Sequence, residues 1–257
     1  MLTVRDLSIN LKGNKEYLTK NISFTLNEGK ILGIIGESGS GKSLVCRAIM
    51  RLLDEDIFDV RGEVIFKDAD IFGLSNSELN RIRGECIAMI MQNPMSAFSP
   101  TSKIKSQIVE TLRAHKKVSG KDFLKDIEMK FMELGLYETK RILNSYSYEL
   151  SGGMLQRIMI ALTLLLSPKL IIADETTTAL DIKTQALVLK ELKKIKQSNV
   201  AIIVVTHNFG VLFELADDVL VMRNGEVIER GSVYQIFDNP LNKYTRELLA
   251  ASNLKGG

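Results

Sequence analysis

The sequence lacks any apolar run near the roughly 18 to 20 residues that a membrane-spanning helix needs. Its longer ones, such as Ile31 to Ile35 and Ala201 to Val205, fall far short, so the chain is not expected to cross a bilayer by itself. The opening, MLTVRDLSIN, has no cationic lead followed by an apolar core, so no secretory signal and a cytosolic setting are expected. Cysteine is scarce. Cys46 and Cys86 are the two present, and without a CxxC spacing they read as reduced, packed side chains rather than a disulfide or metal site. A dominant sign of charge is missing too: 34 basic against 31 acidic residues leave +3, too mild to argue for nucleic acid. The densest basic stretch, Arg113 to Lys125, reads as an exposed loop, or as a segment able to lie beside an anionic membrane. Tandem repeats and low-complexity segments are absent, and no cluster of His, Cys and acids makes a convincing nickel site.

What is present excludes disorder. The 257 residues, 45% hydrophobic and 25% charged, suffice for one large globular domain or a domain with an insert. Alternation in LTVRDLSI, then ISFTL, the turn Asn27-Glu28-Gly29 and the run ILGII predict strands at the start. Short apolar runs recur at IAMIM (87–91), LIIAD (170–174), AIIVV (201–205) and DVLVM (218–222). Interleaved with helical spacing over Lys42 to Leu53 and Leu180 to Lys196, they predict an α/β fold with a largely parallel sheet covered on both faces. Strand signals vanish between about 95 and 168, where KIKSQIVETLRAH, DFLKDIEMKFMELGL and GGMLQRIMIALTLLL carry helical spacing. The expected organisation is therefore one unit, 1–257, with 1–94 and 169–257 as the core and 95–168 as an inserted helical subdomain. Asn224-Gly225 predicts a tight hairpin turn.

Directly after ILGII stands Gly36-Glu37-Ser38-Gly39-Ser40-Gly41-Lys42-Ser43, which matches GxxxxGK[ST] between a strand and a helix. Such a loop can turn consecutive amides around phosphate oxygens, with Lys42 reaching the outer phosphates and the Ser43 hydroxyl ligating Mg²⁺. Kinases, GTPases and many ATPases share this loop. The strand LIIAD narrows them, because it ends in two adjacent acids suited to different tasks: Asp174 to the Mg²⁺ shell and Glu175 to polarising the attacking water. His207, after AIIVV, and Gln92, after IAMIM, also stand at strand ends where α/β ligands gather. Alone, each is weak evidence, and a lone histidine is more often structural.

Leu150-Ser151-Gly152-Gly153-Met154-Leu155-Gln156 resolves the class. The chain resembles an ATP-binding cassette (ABC) ATPase subunit over nearly all of its length. GESGSGKS is similar to the Walker A loop, MQNP to the Q-loop, LSGGMLQ to the signature, LIIADE to Walker B with its glutamate, TALD to the D-loop and VVTHN to the switch-histidine segment, all in the family's order. The resemblance implies a mixed sheet with an N-terminal antiparallel part and a helical subdomain carrying the signature. It implies ATP and Mg²⁺ as ligands, with Ser43, Gln92 and Asp174 at the metal and Glu175 and His207 at the attacking water. It also implies an ATP sandwiched between one subunit's P-loop and the signature of a second, through Ser151, Gly152, Gly153 and Gln156, with Asp181 at the junction. The partners implied are a second ATPase and membrane permease subunits, with an extracytoplasmic solute-binding protein acting indirectly, at the cytoplasmic face of the membrane.

MQNPMSAFSP and the tail Pro240 to Leu249, PLNKYTRELL, resemble the oligopeptide, dipeptide and nickel importer ATPases, and SGGMLQR with IIADE the first ATPase of nickel or metallophore importers. That branch pairs two different ATPases, so a heterodimer is expected rather than a homodimer. A peptide importer ATPase and a soluble ABC protein acting on translation or DNA are the alternatives. Two departures stand out. Thr176 occupies the place of the usual proline after the glutamate, removing a rigid constraint beside Glu175. The aromatic that stacks on adenine in the family should fall near Gly13, and Tyr17 is the nearest candidate for that contact.

Overall fold

The computed structural model describes residues 1–115, 122–176 and 181–252. In chain order the elements are β1 (Leu2–Leu11), β2 (Tyr17–Leu26), β3 (Ile31–Ile35), α1 (Lys42–Ile49), β4 (Phe58–Phe66), β5 (Ala69–Asp70), α2 (Asn76–Glu85) and β6 (Ile87–Ile90). There follow α3 (Ile104–His115), α4 (Asp122–Glu133), α5 (Thr139–Asn144), α6 (Gly152–Leu166), β7 (Leu170–Asp174) and α7 (Ile182–Gln197). The chain then forms β8 (Ala201–Val205), α8 (Phe209–Leu215), β9 (Asp218–Arg223), β10 (Glu226–Ser232), α9 (Val233–Asp238) and α10 (Lys243–Ala251).

A six-stranded sheet runs β10-β9-β3-β8-β7-β6, and a four-stranded sheet runs β2-β1-β4-β5. From β9 to β6 every pairing in the larger sheet is parallel, and only the β9–β10 hairpin is antiparallel. The continuous apolar runs are explained by burial on both faces. Ile31, Ile35, Ile171, Ile202, Val204, Val219 and Val221 pack with the helices α3 to α8 on one side. Their neighbours in sequence, among them Leu32, Ile34, Ile172, Ile203, Val205, Leu220 and Met222, pack with α1 and the four-stranded sheet on the other. The mixed sheet with an antiparallel N-terminal part is thus as expected.

The hairpin at Asn224-Gly225 has both residues in the left-handed region, φ 49° and 79°, as a type I′ turn requires. The first helix, expected to reach Leu53, stops at Ile49. Arg51 turns left-handed (φ 49°), Leu52 N–H donates to Arg47 O, and the Arg83 guanidinium donates to the carbonyls of Met50 and Arg51. These bonds close the helix end with a Schellman-type cap. Strand β4 has no clear strand signal in the sequence because Arg61-Gly62 interrupts its alternation. Gly62 has φ 105°, and a Cβ there would lie 2.6 Å from Arg5 O, so it serves an irregular pairing with β1. Leu180, expected in the helix that forms α7, and part of the basic stretch Arg113 to Lys125 lie outside the described residues. No helix among the described residues is long and apolar enough to cross a membrane.

Candidate active site

The parallel strands β3, β7 and β8 lie side by side, so the loops leaving their C-terminal ends meet at one edge of the sheet. The P-loop leaves β3 and enters α1. Its conformation depends on glycine at specific points: Gly41 sits at φ 96°, and a Cβ on Gly36 would lie 2.2 Å from Met222 O. The Lys42 side chain folds back into this loop, donating to Gly36 O at 2.8 Å, Glu37 O at 2.6 Å and Ser40 Oγ at 3.2 Å. Burial lowers the Lys42 pKa, opposed by the charges of Glu175 and Asp174. Ser40 and Lys42 are buried, whereas Glu37, Ser38 and Gly39 are exposed.

From β7, Asp174 accepts a hydrogen bond from Ser43 Oγ at 2.9 Å. Burial pushes the Asp174 carboxyl up, against the Ser43 bond, and the Glu175 charge adds to the rise. A hydroxyl and a carboxylate side by side are the hard oxygen donors that suit Mg²⁺, so this pair fits the metal expected there. Glu175 has φ 48°, a left-handed backbone. A following proline would favour an extended residue at this position, and Thr176 imposes no such bias.

Gln92 and His207 both come to Glu175. Gln92 Nε2 donates to Glu175 Oε2 at 2.7 Å, and His207 Nδ1 lies 3.7 Å from Glu175 Oε1. Gln92 is thus engaged through its amide nitrogen and not through the oxygen that a metal ligand would offer. A cavity of about 300 Å³ opens here, lined by Ser38, Gly39, Gly41, Lys42, Ser43, Gln92 and Glu175.

Leu18 and Leu44 complete that lining. Tyr17, the expected stacking residue, is not part of it. It begins β2, paired with Asn10, and neighbouring strand residues point to opposite faces. Leu18 carried no signal in the sequence, because an aliphatic residue beside a P-loop looks like any strand residue.

The signature residues stand apart. Ser151 caps α6 by accepting from Met154 N–H, and Gly152 and Gly153 follow as its first turn. Among the described residues no hydrogen bond or ion pair links Ser151, Gly152 or Gly153 to the P-loop. Gln156 departs from its expected role: it is 1% exposed and neither side-chain amide atom has a hydrogen-bond partner. Its side chain therefore lies inside the protein. Asp181 caps α7, accepting from Thr184 N–H and Thr184 Oγ, bonds that hold its carboxyl below the usual carboxylate range. The preceding three residues of the TALD segment lie outside the described residues.

A phosphate loop, a strand-end acid pair and a polar cluster at the C-terminal edge of a parallel sheet define a P-loop nucleotide hydrolase. Residues 19–178 match the ABC transporter family, and the chain belongs to that family. It is an ATPase whose hydrolysis is coupled to transport. It is 44% identical over 252 residues to the metal-staphylopine import system ATP-binding protein CntD of Staphylococcus aureus, covering 97% of this chain and 92% of that one. It is 41% identical to the oligopeptide transport ATP-binding protein OppD of Bacillus subtilis, covering 98% and 71%. With the glutathione import ATP-binding protein GsiA of Salmonella choleraesuis the identity is 40%, over 98% of this chain and 42% of that one. Among solved structures, the dimeric post-hydrolysis state of the ATP-binding cassette MJ0796 bound to ADP and Pi aligns with a TM-score of 0.80. It shares 27% identity and covers 91% of this chain and 99% of the other.

Proposed function

We propose that this chain powers uptake of a metal–metallophore complex, nickel or a related small solute through a separate membrane permease. In this reading it works at the cytoplasmic face of the membrane, paired with a second ABC ATPase. The convergence of Lys42, Ser43, Gln92 and Glu175 on one cavity, with Asp174 bonded to Ser43 and His207 beside Glu175, supports the chemistry. The cargo class rests on the 44% likeness to the metal-staphylopine protein across nearly the whole of both chains. Peptide import is the second reading, favoured by the 41% likeness to OppD.

Each residue then has a defined task. Lys42 exchanges its bonds to the Gly36 and Glu37 carbonyls for the outer phosphates of ATP. Ser43 and Asp174 hold Mg²⁺, which when bound neutralises charge on those phosphates. Glu175 orients the attacking water and accepts its proton, and Gln92 and His207 fix the Glu175 carboxylate. Ser151 to Gly153, carried on the helical segment 95–168, present the start of α6 to the ATP held by the partner subunit.

Glu175→Gln tests the central assignment. It should retain ATP binding and slow turnover by about two to four orders of magnitude, the usual worth of a general base. Turnover at the unsubstituted rate would refute the role of Glu175. Cargo is tested in cells carrying the natural permease: uptake of labelled metal–metallophore complex should be lost in the Glu175→Gln strain. Loss of dipeptide uptake instead, with metal uptake intact, would select the second reading.

A further inference from the structure

The tail PLNKYTRELL is not used by the chemistry above, yet it reaches the back of the P-loop. Asn242 caps α10 by accepting from Tyr244 N–H, and this sets the Tyr244 side chain inward, 5% exposed. The Tyr244 hydroxyl accepts a hydrogen bond from Glu37 N–H at 3.2 Å. The carbonyl of the same residue, Glu37, is gripped by Lys42 at 2.6 Å. One P-loop residue is thus held from the site side by the phosphate-binding lysine and from behind by the C-terminal helix.

Three further contacts make this a built arrangement. The Arg223 guanidinium lies 4.5 Å over the Tyr244 ring, a cation–π contact. Gly225 N–H, in the same hairpin as Arg223, donates to Ser40 O at 3.2 Å. The Glu229 carboxylate accepts from the N–H groups of Leu241 and Asn242 at 2.6 and 3.1 Å, which anchors the start of α10 to β10.

We propose that Tyr244 is a positioning residue for the nucleotide site, through which the C-terminal helix holds the P-loop in its phosphate-binding shape. This rests on the reading of the P-loop as the ATP site. When Lys42 releases the carbonyls of Gly36 and Glu37 to reach phosphate, the Tyr244 bond to Glu37 N–H remains to fix the Gly36–Glu37 peptide. Without it the loop samples other conformations, and apparent affinity falls by the fraction of time spent in the competent one.

The test is ADP binding to the full chain by calorimetry, with Tyr244→Phe, which keeps the ring and its contact with Arg223, and Glu229→Gln, which loosens the anchor of α10. Tyr244→Phe should bind ADP about threefold to tenfold more weakly, the worth of one hydrogen bond. Its melting temperature should fall by no more than about 2–4 °C, the shift that one lost hydrogen bond makes in a chain of this size, and hydrogen exchange of the P-loop amides should be faster. In ATPase assays KM should rise while kcat is kept, and Glu229→Gln should move affinity in the same direction. Unsubstituted affinity in Tyr244→Phe overturns the proposal, as does a loss of affinity that merely tracks a larger fall in melting temperature. If the unsubstituted chain itself binds no ADP, the P-loop reading falls and this one with it.

Discussion

Lys42 shows why a single residue can be read from sequence in function and missed in mechanics. Its place in GxxxxGKS suggests the phosphate contact, but not that the ammonium bonds back into its own loop through two carbonyls and a hydroxyl. Lys42→Ala should therefore do two things. Nucleotide affinity should fall, because the phosphate charge loses its partner, and the free protein should lose about 1–3 kcal/mol, because the buried Gly36 carbonyl and Ser40 hydroxyl are left without a donor. Thermal unfolding without nucleotide checks the second effect, and an unchanged melting temperature would mean that the carbonyls find water instead. The placement of Asp174 and Glu175 at the end of a strand was legible because the apolar run LIIA stops at them. Leu18 and Tyr244 were not, because their roles come from tertiary contact: one lines the cavity as an ordinary aliphatic residue, and the other reaches the P-loop from more than 200 positions away. Gln156 was misread because a motif gives the identity of a residue but not which side of the helix it occupies.

At the scale of elements, the strands most easily read were those buried on both faces. ILGII, LIIAD and AIIVV carry five buried residues each, so no solvent-facing position breaks the run. The end of α1 was harder, since it is set by Arg83, distant in sequence, and by an arginine in a conformation where glycine is the usual choice. Joints between elements rest on charged groups of this kind. Asp217, before β9, accepts from Ile31 N–H at 2.8 Å and pairs with Lys30 and Lys196, tying β3, α7 and β9 together. Burial alone would push its carboxyl up, but the bonds from Lys196 and Ile31 outweigh this and hold it below the usual carboxylate range. A depressed folded-state pKa contributes stability above the unfolded value of about 3.9 and loses it as pH falls through the folded value. Asp217→Asn should thus cost about 1–3 kcal/mol near neutral pH, as expected for hydrogen bonds to a charged group, and the gap from the unsubstituted protein should close below about pH 4. Denaturant unfolding across pH measures this directly, and a gap that persists unchanged into acid would show that Asp217 acts through shape and not charge.

For the whole molecule, the two glycine-bearing segments have different reasons to be glycine. Gly36 is required from within, since a side chain there would strike the Met222 carbonyl at 2.2 Å. Gly152 is not: a Cβ on it would meet nothing within 4 Å, and it begins α6 on an exposed face. Among the described residues nothing demands a bare backbone at Gly152, which in the proposed reading leaves that demand to a neighbouring molecule. In the proposed assembly that is the triphosphate held by the partner's P-loop, which approaches amides of the first turn that have no intrahelical acceptor. Gly152→Ala separates the two explanations cleanly. Glycine in a helix is worse than alanine by about 0.5–1 kcal/mol, so the isolated chain should melt at the same temperature or slightly higher. Nucleotide binding to its own P-loop should be unaltered. Association should suffer, because the added methyl stands where the phosphate must come close. Light scattering in the Glu175→Gln background, with ATP, alone and mixed with the natural partner ATPase, provides the readout. If Gly152→Ala pairs as well as its parent in both mixtures, the signature does not meet a neighbour's nucleotide, and energy coupling in this transporter must run through another surface.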